Sequence, residues 1–244
     1  MTMRRLLPDH ADEVDLVDAY QYPQGTWLRA NMVASADGAA TVDGRAAGLG
    51  NATDQEVLRL LRGLADVVIA GAGTVSAEGY GPAKARAEYR DMRAAAGQAA
   101  APVMAVVSQR LQLDLESAYF TAALQPPIVV TCTSAPPDRL LAARKVAEVV
   151  VAGDEHVSPA LMVAALVDLG YRRLLCEGGP TLLAQTAADG VLDELCLTIS
   201  PKLVGGPSRR ILDGPVLDPP HALRLTQLLQ DDEDLLFARY AIVR

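Results

Sequence analysis

The sequence predicts an α/β fold: one three-layer domain on a mainly parallel sheet, with antiparallel strands at the sheet edge. Short apolar runs of strand length alternate with helical patterns along most of the 244-residue chain, and this alternation is typical of parallel sheets. Neither an internal repeat nor a linker interrupts it, so we predict a single domain. The last two predicted strands have no clear helix between them, so we expect them to pair antiparallel.

Composition narrows the classes of function. Half of the residues are hydrophobic and the net charge is −8, which disfavours a nucleic-acid partner because such a protein needs a basic face. No apolar run reaches the ~18 residues of a membrane span, so we expect no membrane contact. The three cysteines lie in apolar runs, which indicates core residues in a reducing compartment and therefore a cytoplasmic protein. Neither Cys-x-x-Cys nor His-Glu-x-x-His occurs, so we expect no metal site.

The first half of the chain opens with an acidic, proline-containing segment, residues 1–25, which we expect to form either a strap or a segment that covers the ligand. Thr53 and Glu56 form a capping-box pair ahead of an apolar helical pattern, and Gly63 supplies the stop. In this half, strands are predicted over 27–34, 66–70 and 103–107, and helices over 53–62 and 83–96.

In the second half, prolines open the predicted helices, where the missing N–H group costs nothing. Strands are predicted over 128–131, 146–151, 174–176, 194–200 and 235–243, and helices over 136–145, 159–170 and 180–188.

One strand end carries the strongest local signal. The strand over 174–176 runs into Glu177, two glycines and Pro180. Open α/β sheets bind ligands at the carboxyl ends of their strands. Gly178 and Gly179 let a ligand approach the backbone, and the N-terminus of the following helix offers N–H groups to a phosphate. An ordinary strand–turn–helix corner with an exposed Glu is an equally open interpretation.

A second glycine-rich strand end, Gly71-Ala72-Gly73, precedes Thr74 and Val75. It is not a Gly-x-Gly-x-x-Gly fingerprint, because position 76 is Ser. Two glycine-rich ends on one edge of a parallel sheet fit a dinucleotide cofactor. The alternative is that Gly71 and Gly73 only permit close packing.

Four motifs follow one another along the chain. They are Asn31-Met32-Val33-Ala34-Ser35-Ala36-Asp37-Gly38, Gly71-Ala72-Gly73-Thr74-Val75, Glu177-Gly178-Gly179-Pro180-Thr181-Leu182, and Leu192-Asp193-Glu194-Leu195 leading to Pro201-Lys202-Leu203-Val204-Gly205-Gly206. Together they resemble the reductase half of the riboflavin-pathway deaminase–reductase, the RibD C-terminal family, over about residues 26–243.

The resemblance implies a dihydrofolate-reductase-like fold, a homodimer, NADPH as the cofactor and 5-amino-6-(5-phosphoribosylamino)uracil as a small heterocyclic substrate. The zinc motif of the companion deaminase is absent, so the chain resembles a stand-alone reductase.

The resemblance also implies roles for single residues. Arg110, which follows the third predicted strand, suits the adenosine 2′-phosphate of NADPH. Glu177 is expected to recognise paired N–H donors of the substrate, and Arg62 to meet its phosphate. Asp37 is the candidate proton donor, with a plain Asp-Gly turn as the alternative. The cofactor-binding candidates are Ala34, Leu49, Gly71, Gly73, Thr74, Glu78, Ser108, Arg110, Gly178, Gly179, Pro180, Thr181 and Leu182.

The segment after Val75 departs from the family pattern, which reads acidic-acidic-Pro and then an Arg. Here the chain continues to Tyr80-Gly81-Pro82, and Lys84 and Arg86 are the nearest basic residues. A dihydrofolate or other pterin reductase is therefore the alternative enzyme. A non-catalytic NADPH-binding protein is the alternative of another class, and the presence of both Glu177 and Asp37 favours an enzyme.

Overall fold

In the computed structural model, which describes residues 3–244, the strands alternate with helices along most of the chain. The strands are β1 Met3–Leu7, β2 Trp27–Ser35, β3 Val67–Gly71, β4 Val103–Val107, β5 Ile128–Thr131, β6 Glu148–Val151, β7 Arg173–Cys176, β8 Glu194–Ser200, β9 Leu223–Asp231 and β10 Leu236–Ile242. The helices are α1 Leu16–Ala19, α2 Ala52–Leu64, α3 Ala72–Ala77, α4 Arg90–Ala95, α5 Ala118–Thr121, α6 Pro137–Ala143, α7 Pro159–Asp168 and α8 Pro180–Ala188.

All of these strands join one sheet in the order β1-β9-β10-β8-β2-β7-β3-β4-β5-β6. Six of its nine pairings are parallel, which confirms the predicted α/β class. β8 and β10 pair antiparallel, as predicted. Neither is an edge strand, however, because β10 also pairs with β9 and β8 also pairs with β2. The two edges belong to β1 and β6.

Two strands were not predicted from the sequence. β1 pairs antiparallel with β9, from Met3 opposite Asp231 onward. β1 therefore adds to the sheet a part of the segment predicted as a strap, whose first two residues lie outside the described part. Only Met3 of β1 is buried, and β9 mixes Leu with Arg and Gln, so neither strand has a clear apolar alternation.

The end of the N-terminal segment, around Tyr20 and Tyr22, is held beside the sheet by Arg29 of β2, which is fully buried. Its Nε donates to Glu194 Oε1 at 2.6 Å, its Nη1 donates to the Tyr20 carbonyl at 2.8 Å, and its guanidinium lies 4.2 Å from the centre of the Tyr22 ring. A buried cation needs both a counter-charge and hydrogen-bond acceptors. The segment before β2 supplies the acceptors and β8 supplies the charge.

The capping-box prediction for α2 was wrong. The N-cap is Asn51, whose side chain accepts from the Asp54 N–H at 3.0 Å, and Thr53 lies inside the first turn. Asn caps helices as well as Thr does. Gly63 lies inside the last turn and does not end the helix. A Cβ there would lie 2.5 Å from the Tyr89 ring, so Gly63 permits close packing. The helix predicted over 83–96 is a 3-10 turn, Ala87–Tyr89, followed by α4.

Helices cover both faces of the sheet, which gives the predicted three layers. α2 contributes Val57 and Leu61 to the core on one face, while α7 and α8 contribute Met162 and Leu183 to the core on the other. The parallel strands β2, β3, β4, β7 and β8 all end on the same side of the sheet. This carboxyl edge runs across the strand ends and is distinct from the outer strands β1 and β6. The candidate site lies at the carboxyl edge.

The cysteines are buried and unpaired, as predicted. Burial raises the pKa of the Cys176 thiol to about 12, so this thiol is a packing residue. Within residues 3–244, no helix is both long and apolar enough to cross a bilayer. The same part of the chain holds no cluster of three or more His, Cys, Asp or Glu suited to a metal ion.

Candidate functional site

The two glycine-rich strand ends contact each other at the carboxyl edge of the sheet. The Gly71 N–H donates to the Gly178 carbonyl at 2.7 Å, and the Glu177 N–H donates to the Ile69 carbonyl at 2.8 Å. A Cβ on Gly71 would lie 3.6 Å from the Gly179 nitrogen. The loop after β7 therefore lies directly on the end of β3, as the parallel arrangement predicted.

The N-terminus of α8 has no side-chain cap. Gly179 is the N-cap and Pro180 the first helical residue, so neither offers a hydrogen-bonding side chain to the N–H groups of the first turn. Such N–H groups, together with the helix dipole, bind phosphate. A Cβ on Gly73 would meet no atom within 4 Å, so the neighbouring start of α3 is open as well. The geometry fits the pyrophosphate of a dinucleotide.

Glycine is needed at two positions for different reasons. Gly178 has φ +79°, which L-residues rarely adopt, and its peptide bond to Gly179 is cis. Gly179 has an ordinary φ of −64°. There the reason is space, because a Cβ would lie 2.6 Å from Thr74 Oγ1.

Glu177 lies beside this opening, but its carboxylate is already bound by the protein. Arg62 Nε donates to Oε1 at 2.7 Å and Arg62 Nη2 donates to Oε2 at 2.6 Å, a bidentate pair. The Tyr80 hydroxyl donates to Oε2 at 2.5 Å. The Glu177 side chain is 3% exposed and that of Arg62 is 34% exposed, so Arg62 is the member of the pair that faces solvent.

The ion pair between Glu177 and Arg62 corrects the roles that were predicted for these two residues. A carboxylate has about four lone-pair positions, and three are occupied here. Glu177 therefore has room for one further donor and not for the predicted pair of donors. Arg62 is not a solvated helix-end residue. It is fixed over the Tyr80 ring, with its guanidinium carbon 5.0 Å from the ring centre.

Two tyrosines of this cluster were missed at the sequence level. Burial, and then the neighbouring Glu177 carboxylate, raise the pKa of Tyr80 far above its usual value, so its hydroxyl keeps its proton. Tyr119, from α5, has a buried hydroxyl without a hydrogen-bond partner among the described residues, and Glu177 is among the charges that raise its pKa after burial itself. Tyr80-Gly81-Pro82 has the composition of a plain loop, and Tyr119 lies far from the motifs in sequence.

Asp37 connects two loops. Its carboxylate accepts from the Gly205 N–H at 2.7 Å, the Val204 N–H at 3.1 Å and the Ser35 hydroxyl at 2.5 Å. These bonds, the one from Ser35 most of all, lower the pKa of Asp37 to about 2. A carboxyl group that is ionised at neutral pH has no proton to donate. The geometry therefore supports the turn interpretation of Asp37 over the proton-donor interpretation.

Asp37→Asn is expected to loosen the loop over 201–206, because an amide oxygen replaces only one of the two carboxylate acceptors. Amide hydrogen exchange at Val204 and Gly205 should become faster. The lowered pKa means that the contribution of Asp37 is present above the unfolded pKa of about 3.9 and is lost as the pH falls through about 2. Unchanged exchange combined with lost turnover would instead support proton donation.

Several other predicted cofactor residues are buried or support a loop. Glu78 ends α3 and accepts from the Ala46 N–H at 2.9 Å, which fixes the loop before Leu49. Leu49 is fully buried and Ala34 is 7% exposed. The surroundings of Glu78 and Leu49 favour support of the loop over direct contact with a ligand.

The remaining candidates lie at the ends of β4 and α8. Ser108, directly after β4, is buried, whereas Arg110 is exposed and forms no ion pair within residues 3–244. Thr181 is exposed and Leu182 is buried in the first turn of α8. Of the alternative basic residues, Arg86 forms an exposed pair with Glu88 at 3.6 Å.

Sequence comparison finds relatives for most of the chain. The model of the RibD C-terminal domain matches residues 26–237. The 2,5-diamino-6-ribosylamino-4(3H)-pyrimidinone 5′-phosphate reductase of Archaeoglobus fulgidus is 30% identical over 186 residues, 75% of this chain and 84% of that protein. The reductase of the same name from Methanothermobacter thermautotrophicus is 40% identical over 94 residues, 38% of this chain and 44% of that protein.

Structural comparison agrees with the sequence matches. A pyrimidine reductase-like protein from Corynebacterium diphtheriae superposes with a TM-score of 0.82 at 28% identity, over 90% of this chain and 92% of that one. RibD of Acinetobacter baumannii superposes with a TM-score of 0.69 at 16% identity, over 90% of this chain and 59% of that one, and so shares the fold.

Proposed function

The chain belongs to the RibD C-terminal domain family, and on that basis we propose that it is an NADPH-dependent reductase of a phosphorylated ribosylaminopyrimidine in riboflavin biosynthesis. The observation that carries the proposal is the position of the uncapped α8 N-terminus, next to Gly71 and beside the Glu177–Arg62 pair. A phosphate-binding helix end and a polar cluster for a heterocycle thus share one sheet edge. The names of the relatives from Archaeoglobus and Methanothermobacter point to the same reaction class.

The cofactor half consists of residues at the ends of β3, β4 and β7. The first-turn N–H groups of α8 would hold the pyrophosphate, because Gly179 keeps the space before them free of side chain. Ser108 and Arg110, after β4, would hold the adenosine end. When bound, NADPH supplies the hydride. The chain's own contribution is to position the cofactor beside the Glu177 cluster.

NADPH is expected to bind well and NADH poorly, because Arg110 is exposed, forms no ion pair with the described residues and suits a 2′-phosphate. Arg110→Gln should weaken NADPH binding by at least about tenfold, the value of one charge-assisted hydrogen bond, and should leave NADH binding unchanged. Titration followed by nicotinamide fluorescence measures both. Arg90→Gln, an exposed arginine in α4, is the matched control, and equal affinities of the wild type for NADPH and NADH would contradict the role of Arg110.

The substrate half is the Arg62–Glu177–Tyr80 cluster. Arg62 Nη1 does not bond to Glu177, so it can donate to a carbonyl or phosphate oxygen. Glu177 keeps one acceptor position for an N–H group. Together they offer one donor group and one acceptor to a pyrimidine ring that carries both kinds of polar atom.

Two ring forms are candidate substrates. The aminouracil form has a carbonyl where the diaminopyrimidinone of the named relatives has an amino group. Reduction of dihydrofolate or another pterin, and NADPH binding without catalysis, are the competing outcomes that an assay of turnover separates. The cytoplasmic location stays a prediction from the cysteine pattern.

We also propose that the protein is a homodimer. The strands β8 and β10 offer no open edge to a partner, because both are paired on both sides. The support is the resemblance to the family, which implies a homodimer. Two apolar side chains after β8, Leu203 at 84% and Val216 at 90% exposure, are available to a contact surface. Light scattering at micromolar concentration should give the mass of two chains. The mass of one chain would refute the dimer.

A further inference from the structure

A second polar cleft lies at the amino ends of the parallel strands, where β3, β4 and β7 begin. It is on the side of the sheet opposite to the candidate site. Its volume is about 290 Å³, and its lining includes Arg93, Arg172, Arg173, Asp66, Gln98 and Tyr171. We propose that this amino-end cleft binds a small phosphate-type dianion, such as a phosphate monoester.

The charge balance of the cleft favours an anion. Asp66 is the only carboxylate among the described residues that line the cleft, and both of its oxygens are already bound. Oδ1 accepts from Gln98 Nε2 at 2.7 Å, and Oδ2 accepts from the N–H groups of Arg172 and Arg173 at 2.9 and 2.8 Å. Asp66 is therefore engaged by uncharged donors. Within residues 3–244, none of the three lining arginines forms an ion pair.

Arg93 is a buried cation fixed in the wall of the cleft. It is 2% exposed. Its Nε donates to the Ala99 carbonyl at 2.7 Å, and its Nη1 donates to the carbonyls of Gly63 and Ala65 at 2.8 Å each. These bonds hold the guanidinium plane in place and leave Nη2 without a hydrogen bond among the described residues. Burial lowers the pKa of Arg93, while the neighbouring charges of Asp66 and Arg173 act on this pKa in opposite directions.

Arg173 adds a second guanidinium, and its side chain has no hydrogen-bond partner in the part of the chain that the structure describes. The lining holds three arginines and one carboxylate, so the cleft carries more positive than negative charge, and a bound anion would offset the excess. Arginine matches the oxygen geometry of phosphate. The chain as a whole carries a net charge of −8, so no general positive field would attract anions. Binding would therefore depend on these local groups.

The single tryptophan of the chain is a natural reporter for this cleft. Trp27 lies opposite Arg173 in the β2–β7 pairing, and its backbone N–H donates to the Arg172 carbonyl at 2.9 Å. Its indole N–H donates to Glu194 Oε2 at 3.2 Å. The probes are inorganic phosphate and ribose 5-phosphate, with ribose as the uncharged control. All titrations contain saturating NADP⁺, so that the cofactor site is already filled.

The proposal predicts a saturable change in Trp27 fluorescence with phosphate and ribose 5-phosphate, but not with ribose. Arg173→Gln should weaken the binding of both anions by at least about tenfold, the loss of one charge-assisted hydrogen bond, while NADPH affinity stays unchanged. Arg144→Gln removes one exposed charge elsewhere and should keep wild-type anion binding. The absence of a saturable change, or equal weakening by the two substitutions, would overturn the proposal.

Discussion

Gly179→Val is expected to abolish NADPH binding while the protein remains folded. A Cβ at this position would lie 2.6 Å from Thr74 Oγ1, and the branched carbons beyond it would fill the space before the first turn of α8. One charge-assisted hydrogen bond to phosphate contributes roughly 1.5–3 kcal/mol, so its loss together with the steric block should weaken binding by at least about tenfold. Nicotinamide fluorescence measures the affinity, and a thermal unfolding scan checks the fold.

Gly81→Val is the matched control for this substitution. A Cβ on Gly81 meets no atom within 4 Å, and its φ is not in the left-handed region. The control should therefore bind NADPH as the wild type does. Near-normal NADPH binding by folded Gly179→Val would mean that the cofactor phosphates do not lie on α8.

Glu177→Gln is expected to remove most of the turnover and to leave NADPH affinity near normal. An amide offers one acceptor oxygen where Arg62 and Tyr80 now use two. Removing one partner of a fully buried ion pair costs about 3–5 kcal/mol of stability. Because the Arg62 side chain is 34% exposed and water can solvate it, we expect a smaller cost, about 1–3 kcal/mol. Arg62 would then lose the geometry in which it meets the substrate.

Tyr80→Phe tests the tyrosine hydroxyl of the same cluster without removing either charge of the ion pair. It removes the hydroxyl that donates to Glu177 but keeps the ring under Arg62 and the bidentate pair. Its turnover should fall less than that of Glu177→Gln, with NADPH affinity unchanged in both variants. If Glu177→Gln instead costs NADPH affinity and spares turnover, the roles given to the two halves of the site are exchanged.

The backbone features of the site were predictable because they depend on local chemistry. The run from Leu174 to Pro180 has strand length, a double glycine and a helix-opening proline, and each signal acts within a few residues. The alternation of strands and helices then predicted a parallel sheet. In such a sheet Gly71 and Gly178 lie at the same end of their strands, where they contact each other. The family prediction is confirmed by the match over residues 26–237.

The side-chain roles were not predictable in the same way, because they depend on contacts between residues distant in sequence. Glu177 and Arg62 are 115 residues apart and Glu177 and Tyr80 are 97 apart. No local pattern shows that the carboxylate is already occupied. β1 was missed for a related reason, since its pairing with β9 joins the two ends of the chain and neither strand shows a strong apolar alternation.

The most direct test is NADPH consumption, followed by absorbance, with three substrates side by side. They are the diaminopyrimidinone ribosyl phosphate of the named relatives, 5-amino-6-(5-phosphoribosylamino)uracil and dihydrofolate. The proposed function predicts that at least one of the two ribosylaminopyrimidine phosphates is reduced with NADPH and that dihydrofolate is not. Reduction of dihydrofolate alone, or tight NADPH binding without consumption of any of the three, would contradict it.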